Sequence, residues 1–374
     1  MSSKWLIVGA GFTGATLAER IATQLGEHVT VIDRRPHIAG NAYDELDDAG
    51  VLVHRYGPHI FHTNSGRVWQ YLSQFTEWRP YYHRVRASVD GQFVPLPFNY
   101  NSLRALLPDF LANTIMNHLV TEFGFGGKVT ILELRASLNK DLRFIADFVY
   151  EKVFLNYTKK QWGLLPDELD PSVTARVPIL VSRDDRYFQD RYQAMPLHGY
   201  SDMFQRMLTH PKISVRLNTN WSEARFDAGF DKIVFTGQID EFFDFAHGEL
   251  PYRSLDFKFV RHVGARAQDV GTVNYPNDFD FTRVTEQNYL TGQADLPTST
   301  LIYEYPQPWR RGVNDPYYPI PRPGSRELLA PYAKLAKELA GKVFFAGRLA
   351  DYQYYNMDQA VGRALSLFSK EIAP

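Results

Sequence analysis

Residues Gly9-Ala10-Gly11-Phe12-Thr13-Gly14 constrain this chain more than any other stretch: they form a G-x-G-x-x-G run between a strand pattern and a helix pattern. Trp5-Leu6-Ile7-Val8 reads as a buried strand, and His28-Val29-Thr30-Val31-Ile32 as the next one. Between them Ala15, Ala18, Ile21, Ala22 and Leu25 recur at helical spacing. In such a unit the first glycine permits the tight turn and the second lets the backbone approach a pyrophosphate. The third lets helix and strand pack closely, with the phosphates at the helix N-terminus. Asp33 closes the second strand roughly 20 residues after the glycines, where a carboxylate takes both ribose hydroxyls and repels a 2′-phosphate.

The rest of the chain builds around that unit. Lys342-Val343-Phe344-Phe345-Ala346-Gly347 is strand-like and leads to a helix face of Val361, Ala364, Leu365 and Phe368. Asp231 to Gly237 reads as another buried strand of a parallel sheet. Residues 101–160 carry helical patterns, Leu103, Leu106, Leu107 and Phe110 among them, whereas 250–320 alternate and hold more Pro and aromatics. The expected fold is α/β: a Rossmann-like FAD-binding domain with an inserted helical domain and an inserted antiparallel β-sheet domain. Its parts are residues 1–80, 196–245 and 340–374 for the first, 99–175 for the helices, and 81–98, 176–195 and 246–339 for the sheet and substrate site.

Composition excludes several function classes. A net charge of −1 over 374 residues argues against nucleic-acid binding. There is no cysteine, which removes thiolate nucleophiles, disulfides and redox dithiols, so redox chemistry requires a bound cofactor. No apolar run reaches membrane-spanning length, and Met1-Ser2-Ser3-Lys4 leads straight into a strand, so a cytoplasmic protein without a signal peptide is expected. His59-x-x-His62 lacks a third ligand, and no metal is expected.

FAD and NAD share the glycine fingerprint. Arg34-Arg35-Pro36-His37-Ile38-Ala39-Gly40-Asn41, however, resembles the E-K-R-x-H-I-G-G-N run of flavin-binding Rossmann proteins, with Ala39 in place of the first glycine of the pair. Further motifs lie beyond it: Tyr56 to Asn64 (YGPHIFHTN), Pro95 to Asn99 (PLPFN), Tyr157 to Gly163 (YTKKQWG), Asp190 to Gln193, Phe281 to Arg283, Asp315 to Pro319, and Gly347 to Tyr355 (GRLADYQYY). In this order, over nearly the whole chain, they resemble the UDP-galactopyranose mutase family.

That resemblance implies an isomerase interconverting UDP-galactopyranose and UDP-galactofuranose through a covalent N5 adduct of reduced FAD, with no net redox change. It implies an external reductant such as NAD(P)H, UDP-galactose as substrate and a homodimer. Cofactor contacts are expected from Gly9, Gly11, Phe12, Thr13, Gly14, Asp33, Arg34, Gly40, Asn41, His59, Ile60, Gly347, Arg348, Tyr355 and Met357. Arg176 and Arg283 match two phosphate-facing arginines, a role suited to the guanidinium fork, and Ala175-Arg176-Val177-Pro178 resembles a mobile lid. His59 and His62 fall on a loop against the flavin, and are grouped with the arginines as catalytic. Phe154, Tyr157, Thr158, Trp162 and Asn274 match a uridine pocket. Tyr317 and Tyr354 match diphosphate contacts, Tyr187 a lid contact, and His83 and Asn356 sugar-facing positions. Asn356 stands where many relatives carry aspartate. Two rivals remain open from sequence: a flavin-dependent oxidoreductase of the amine-oxidase type and a non-catalytic UDP-sugar-binding protein.

Overall fold

A computed structural model describes residues 3–227 and 229–373; Met1 and Ser2, expected to lead into the first strand, lie outside them. The glycine run joins strand Lys4–Val8 to helix Phe12–Arg20, which continues through a wider helical turn to Leu25. Five parallel strands line up in the order Ile213–Arg216, His28–Ile32, Lys4–Val8, Lys232–Phe235, Val343–Phe345. Ala15, Ala18, Ile21 and Ala22 bury their side chains, and so do Val361, Ala364, Leu365 and Phe368 of helix Met357–Leu367 and its final turn. Leu25 departs from the expected stripe and is 37% exposed, at the frayed end before Gly26.

The second large unit is a seven-stranded sheet whose order is Tyr318–Pro319, Tyr252–Val263, Thr298–Pro308, Arg283–Glu286, Thr272–Asn274, Val85–Val89, Gln92–Leu96. Its neighbours are antiparallel except Thr272–Asn274 and Val85–Val89, which run parallel. Strand Tyr192–Pro196, grouped with this sheet from sequence, instead pairs with Phe61–Thr63 and Trp78–Pro80 in a separate three-stranded sheet. It therefore runs across the expected boundary between residues 195 and 196.

A helical layer shares a core with strands Val85–Val89 and Gln92–Leu96 of the seven-stranded sheet, and this core includes Leu103, Ile115, Leu119, Ile131, Leu142 and Val149. Phe110, which the apolar spacing assigns to the Leu103 stripe, is 84% exposed. Helix Tyr100–Leu106 stops before Pro108 and a new helix, Asp109–Phe123, begins out of phase with it. Further on, Lys140–Val149 passes through a π-type stretch, Tyr150–Leu155, into helix Asn156–Trp162. Such a stretch resets the facing of the helix beyond it: Phe154 packs into the helical core while Tyr157 and Trp162 line a cleft.

Candidate active site

The glycine turn builds the floor of a cavity of about 250 Å³. Gly9 sits at φ +105°, and a Cβ there would lie 2.1 Å from Thr236 Oγ1; one on Gly14 would lie 1.9 Å from the Gly9 carbonyl oxygen. These two positions therefore exclude any side chain. Gly11 and Gly40 face each other, a Cβ on Gly40 falling 3.0 Å from the Gly11 Cα. Asp33 accepts hydrogen bonds from the backbone N–H groups of Ala10 (2.9 Å) and Arg35 (3.0 Å), which ties the glycine turn to the end of the second strand. From the far end of the chain, Gly347 at φ +108° packs its Cα side against Thr13. Asp315 joins the loop after Asp33 to the second sheet by ion pairs to Arg34 (2.6 Å) and Arg35 (2.8 Å).

A second, larger cleft of about 940 Å³ adjoins it. Asn41, His59, Tyr317, Arg348, Asn356 and Met357 line both. One wall of the cleft is set by strand register: Asn274, Arg283 and Glu304 pair directly across three neighbouring strands. Arg283 donates to both carboxylate oxygens of Glu304, at 2.6 and 2.9 Å, and Glu304 is fully buried. Burial opposes the guanidinium charge, but the Glu304 carboxylate outweighs it and the Arg283 pKa stays well above its ordinary value. Such a two-point pair fixes the plane of the guanidinium as well as its place.

Arg176 closes the opposite side. It donates to the Tyr354 carbonyl at 3.1 Å and to the Asn356 side-chain oxygen, and its guanidinium lies 4.0 Å from the Tyr354 ring centre. Tyr354 meets Trp162 edge to face. Downstream of Arg176, the Ser182 to Asp185 stretch is laced to the start of the helical layer. Tyr100 N–H bonds the Ser182 carbonyl, and Asn99 and Asn101 side chains bond Asp184 and Asp185.

The histidines differ in surroundings. His83 is 3% exposed, and burial drops its pKa to about 3, so it is neutral at physiological pH. His59 sits on the Gly57–Ile60 loop with Nδ1 toward the Gly57 carbonyl at 2.9 Å; burial, with His54 beside it, lowers its pKa to about 3. His62 pairs with Asp190 instead.

Most of the residues singled out by sequence converge. Gly9, Gly11, Phe12, Thr13, Asp33, Arg34, Gly40, Asn41, Gly347, Arg348 and Met357 line the first cavity, while Arg176, Arg283, His62, His83, Tyr157, Trp162, Tyr187, Asn274 and Tyr354 line the second. Ile60 and Tyr355, expected at the cofactor, face the second cleft. Phe154 and Thr158 are buried and line neither. Gly14 packs helix on strand. Sequence reasoning assigned no role to Phe188 and Asp190 of the cleft, to Glu304 buried behind Arg283, or to Thr219, Trp221, Gln238 and Glu241 of the cavity. Asp190 opens one of the quoted motifs but was given no role, and Glu304 reaches the site through pairing with a distant strand, which no local motif marks. Among the described residues, no cluster of three or more His, Cys, Asp or Glu could hold a metal, and no helix is long and apolar enough to cross a membrane.

Comparison with known proteins gives this geometry a family. The model of UDP-galactopyranose mutase matches residues 152–354, and that of an NAD(P)-binding Rossmann-like domain matches residues 7–75. A Klebsiella pneumoniae protein named "Probable UDP-galactopyranose mutase" is 38% identical over 96% of this chain and 92% of its own length. The chain belongs to the UDP-galactopyranose mutase family. A second relative, a dTDP-fucopyranose mutase of Escherichia coli, is 34% identical over 97% of both chains. The fold matches a crystal structure of reduced UDP-galactopyranose mutase with a TM-score of 0.73 at 16% identity, covering 99% of this chain and 95% of that one. Membership of the UDP-galactopyranose mutase family together with the Rossmann unit implies a flavin cofactor. The residues present fit one: two glycines where no Cβ fits, a carboxylate at the end of the second strand, and a cavity opening directly onto the cleft.

Proposed function

We propose that this chain interconverts UDP-galactopyranose and UDP-galactofuranose, with FAD in its reduced form as the cofactor. One observation carries the reading: Arg176 and Arg283 line a single cleft whose inner wall is shared with the dinucleotide cavity. Gly9, Gly11, Thr13, Asp33, Gly40 and Arg348 would hold the FAD, with the adenosine ribose at Asp33 and the diphosphate at the start of helix Phe12–Arg20. The reduced flavin, when bound, supplies a nucleophile that a chain without cysteine does not.

The chain's own residues do the rest. Arg283, held in plane by Glu304, receives the negative charge that grows on the diphosphate as the anomeric bond breaks. Arg176 covers the diphosphate from the other side, steadied by the Tyr354 ring. Tyr317 and Tyr354 offer hydroxyls to the same oxygens. Tyr157 and Trp162 supply aromatic faces for uracil, with Thr158 and Phe154 behind them, and Asn274 extends the polar row of Arg283. Tyr187, His59, His62, His83 and Asn356 surround the sugar and keep bulk water from it. NAD(P)H as reductant, a homodimer and a cytoplasmic setting belong to the same proposal.

The relative that acts on dTDP-fucopyranose favours a second reading, in which the sugar nucleotide is a 6-deoxyhexose carried by dTDP. The test is incubation of FAD-loaded protein with UDP-galactofuranose and with dTDP-fucofuranose, each with and without dithionite, followed by product separation. Galactopyranose formed only with reduced flavin, without stoichiometric use of reductant, is the expected result. Turnover only with the dTDP sugar selects the second reading. Peroxide release with oxidised flavin selects an oxidase, and nucleotide binding without any isomer selects a binding protein.

A further inference from the structure

His62 is held in a way that neither cofactor binding nor phosphate binding requires. Its Nδ1 lies 2.8 Å from Asp190 Oδ2, and its ring stacks on Phe188 with centres 3.6 Å apart and planes within 13°. Asp190 is itself anchored: Asn64 Nδ2 donates to its other oxygen at 2.6 Å, and the Asn64 side-chain oxygen accepts from Arg191 N–H at 2.9 Å. A carboxylate on Nδ1 fixes the tautomer, and a stacked ring prevents rotation. Only the Nε2 edge is left without a hydrogen-bond partner among the described residues, on a side chain that lines the cleft. Charged or titratable neighbours are few: Asp190 and His83 face His62, and Lys128 faces Asp190. The hydrogen bond to His62 also keeps the Asp190 carboxyl below its ordinary pKa, so it remains an anion.

We propose that Asp190 is a positioning residue that makes His62 the proton carrier for opening and closing the sugar ring. The proposal rests on the ring-interconversion reading above. A pyranose has O5 in its ring and a furanose O4, so the isomerisation must deliver a proton to one oxygen and remove one from the other. In opening, the C1–O5 bond breaks, its electron pair stays on O5, and the His62 imidazolium gives O5 a proton through Nε2. In closing, a lone pair of O4 forms the C1–O4 bond at the electron-poor carbon, and the O4 proton passes to the neutral imidazole. The imidazolium is restored, Asp190 never takes the proton, and the cycle leaves the protein unchanged.

The test separates the anomeric bond from the ring. UDP-galactopyranose carrying 18O between C1 and phosphorus scrambles that label whenever the anomeric bond breaks and reforms, whether or not the ring changes. In reduced Asp190→Asn, isomerisation should fall about a hundredfold while scrambling stays within about threefold of the parental rate. His62→Gln should behave the same way. Retained scrambling also demonstrates a folded, cofactor-loaded protein. Equal loss of both rates, or loss of neither, overturns the proton-carrier role. A parental protein that neither scrambles nor isomerises the substrate overturns the proposed function itself.

Discussion

Glu304 is a buried carboxylate whose side chain hydrogen-bonds only Arg283 among the described residues, so the two must be judged together. Arg283→Ala should lower turnover by a few hundredfold, about 3–4 kcal/mol of barrier, through loss of charge stabilisation in the transition state. It should also destabilise the fold by about 3–5 kcal/mol, because a desolvated anion loses its partner. Adding Glu304→Gln should recover much of that stability and none of the turnover. Denaturant melts and rates on the single and double variants check this; a single variant as stable as the parent would refute the pairing argument. Asn356 invites a gentler change. It precedes helix Met357–Leu367 and accepts from Arg176, so Asn356→Asp adds an anion beside both a guanidinium and a helix N-terminus. The expected gain is about 0.5–1 kcal/mol of thermal stability with activity retained. Loss of activity would mean that Arg176 must leave Asn356 freely during the cycle.

At the level of elements, legibility followed locality. The glycine turn, Asp33 and the Gly347 segment are short-range signals, each containing its own geometric reason, and the structure brings them together. The row Asn274–Arg283–Glu304 depends on how three strands align, and Glu304 lies 21 residues from the arginine it serves. Asp190 lies 128 residues from His62. Phe110 escapes a reading by periodicity because a proline-bounded helix break shifts the helical phase without any change in apolar pattern. The same scale governs a response to pH. His54 accepts the His59 N–H through Nδ1 and so fastens the loop between the two cavities. Burial lowers the pKa of His54 to about 4 and that of His83 to about 3. The unfolded chain, with histidines near 6.5, binds protons that the folded chain refuses, so stability is complete above about pH 6.5 and falls as pH drops toward 4. Each histidine contributes a slope of at most about 1.4 kcal/mol per pH unit. With His59 lowered alike, urea unfolding at pH 7 and pH 5 should differ by up to about 6 kcal/mol, and His83→Asn should make the dependence shallower. A flat profile over that range would contradict the burial of these rings.

The whole molecule is stitched through its cofactor cavity. That cavity draws on residues 8–13, 32–42, His59, 219–241, 316–317 and 347–360, segments far apart in the chain. A ligand bound there touches all of these segments at once. Saturation with FAD at about a hundred times its dissociation constant should stabilise the protein by about 2.7 kcal/mol. A melting temperature indifferent to added FAD would argue against this cavity as the cofactor site. The packing of Gly347 on Thr13 has a consequence for biosynthesis. Strand Lys4–Val8 and the glycine turn are synthesised well before strand Val343–Phe345, the edge of their sheet. Until that later segment exists, neither the sheet edge nor the Gly347 contact to Thr13 can form, so the glycine loop has a complete cavity around it only once the two distant segments have met.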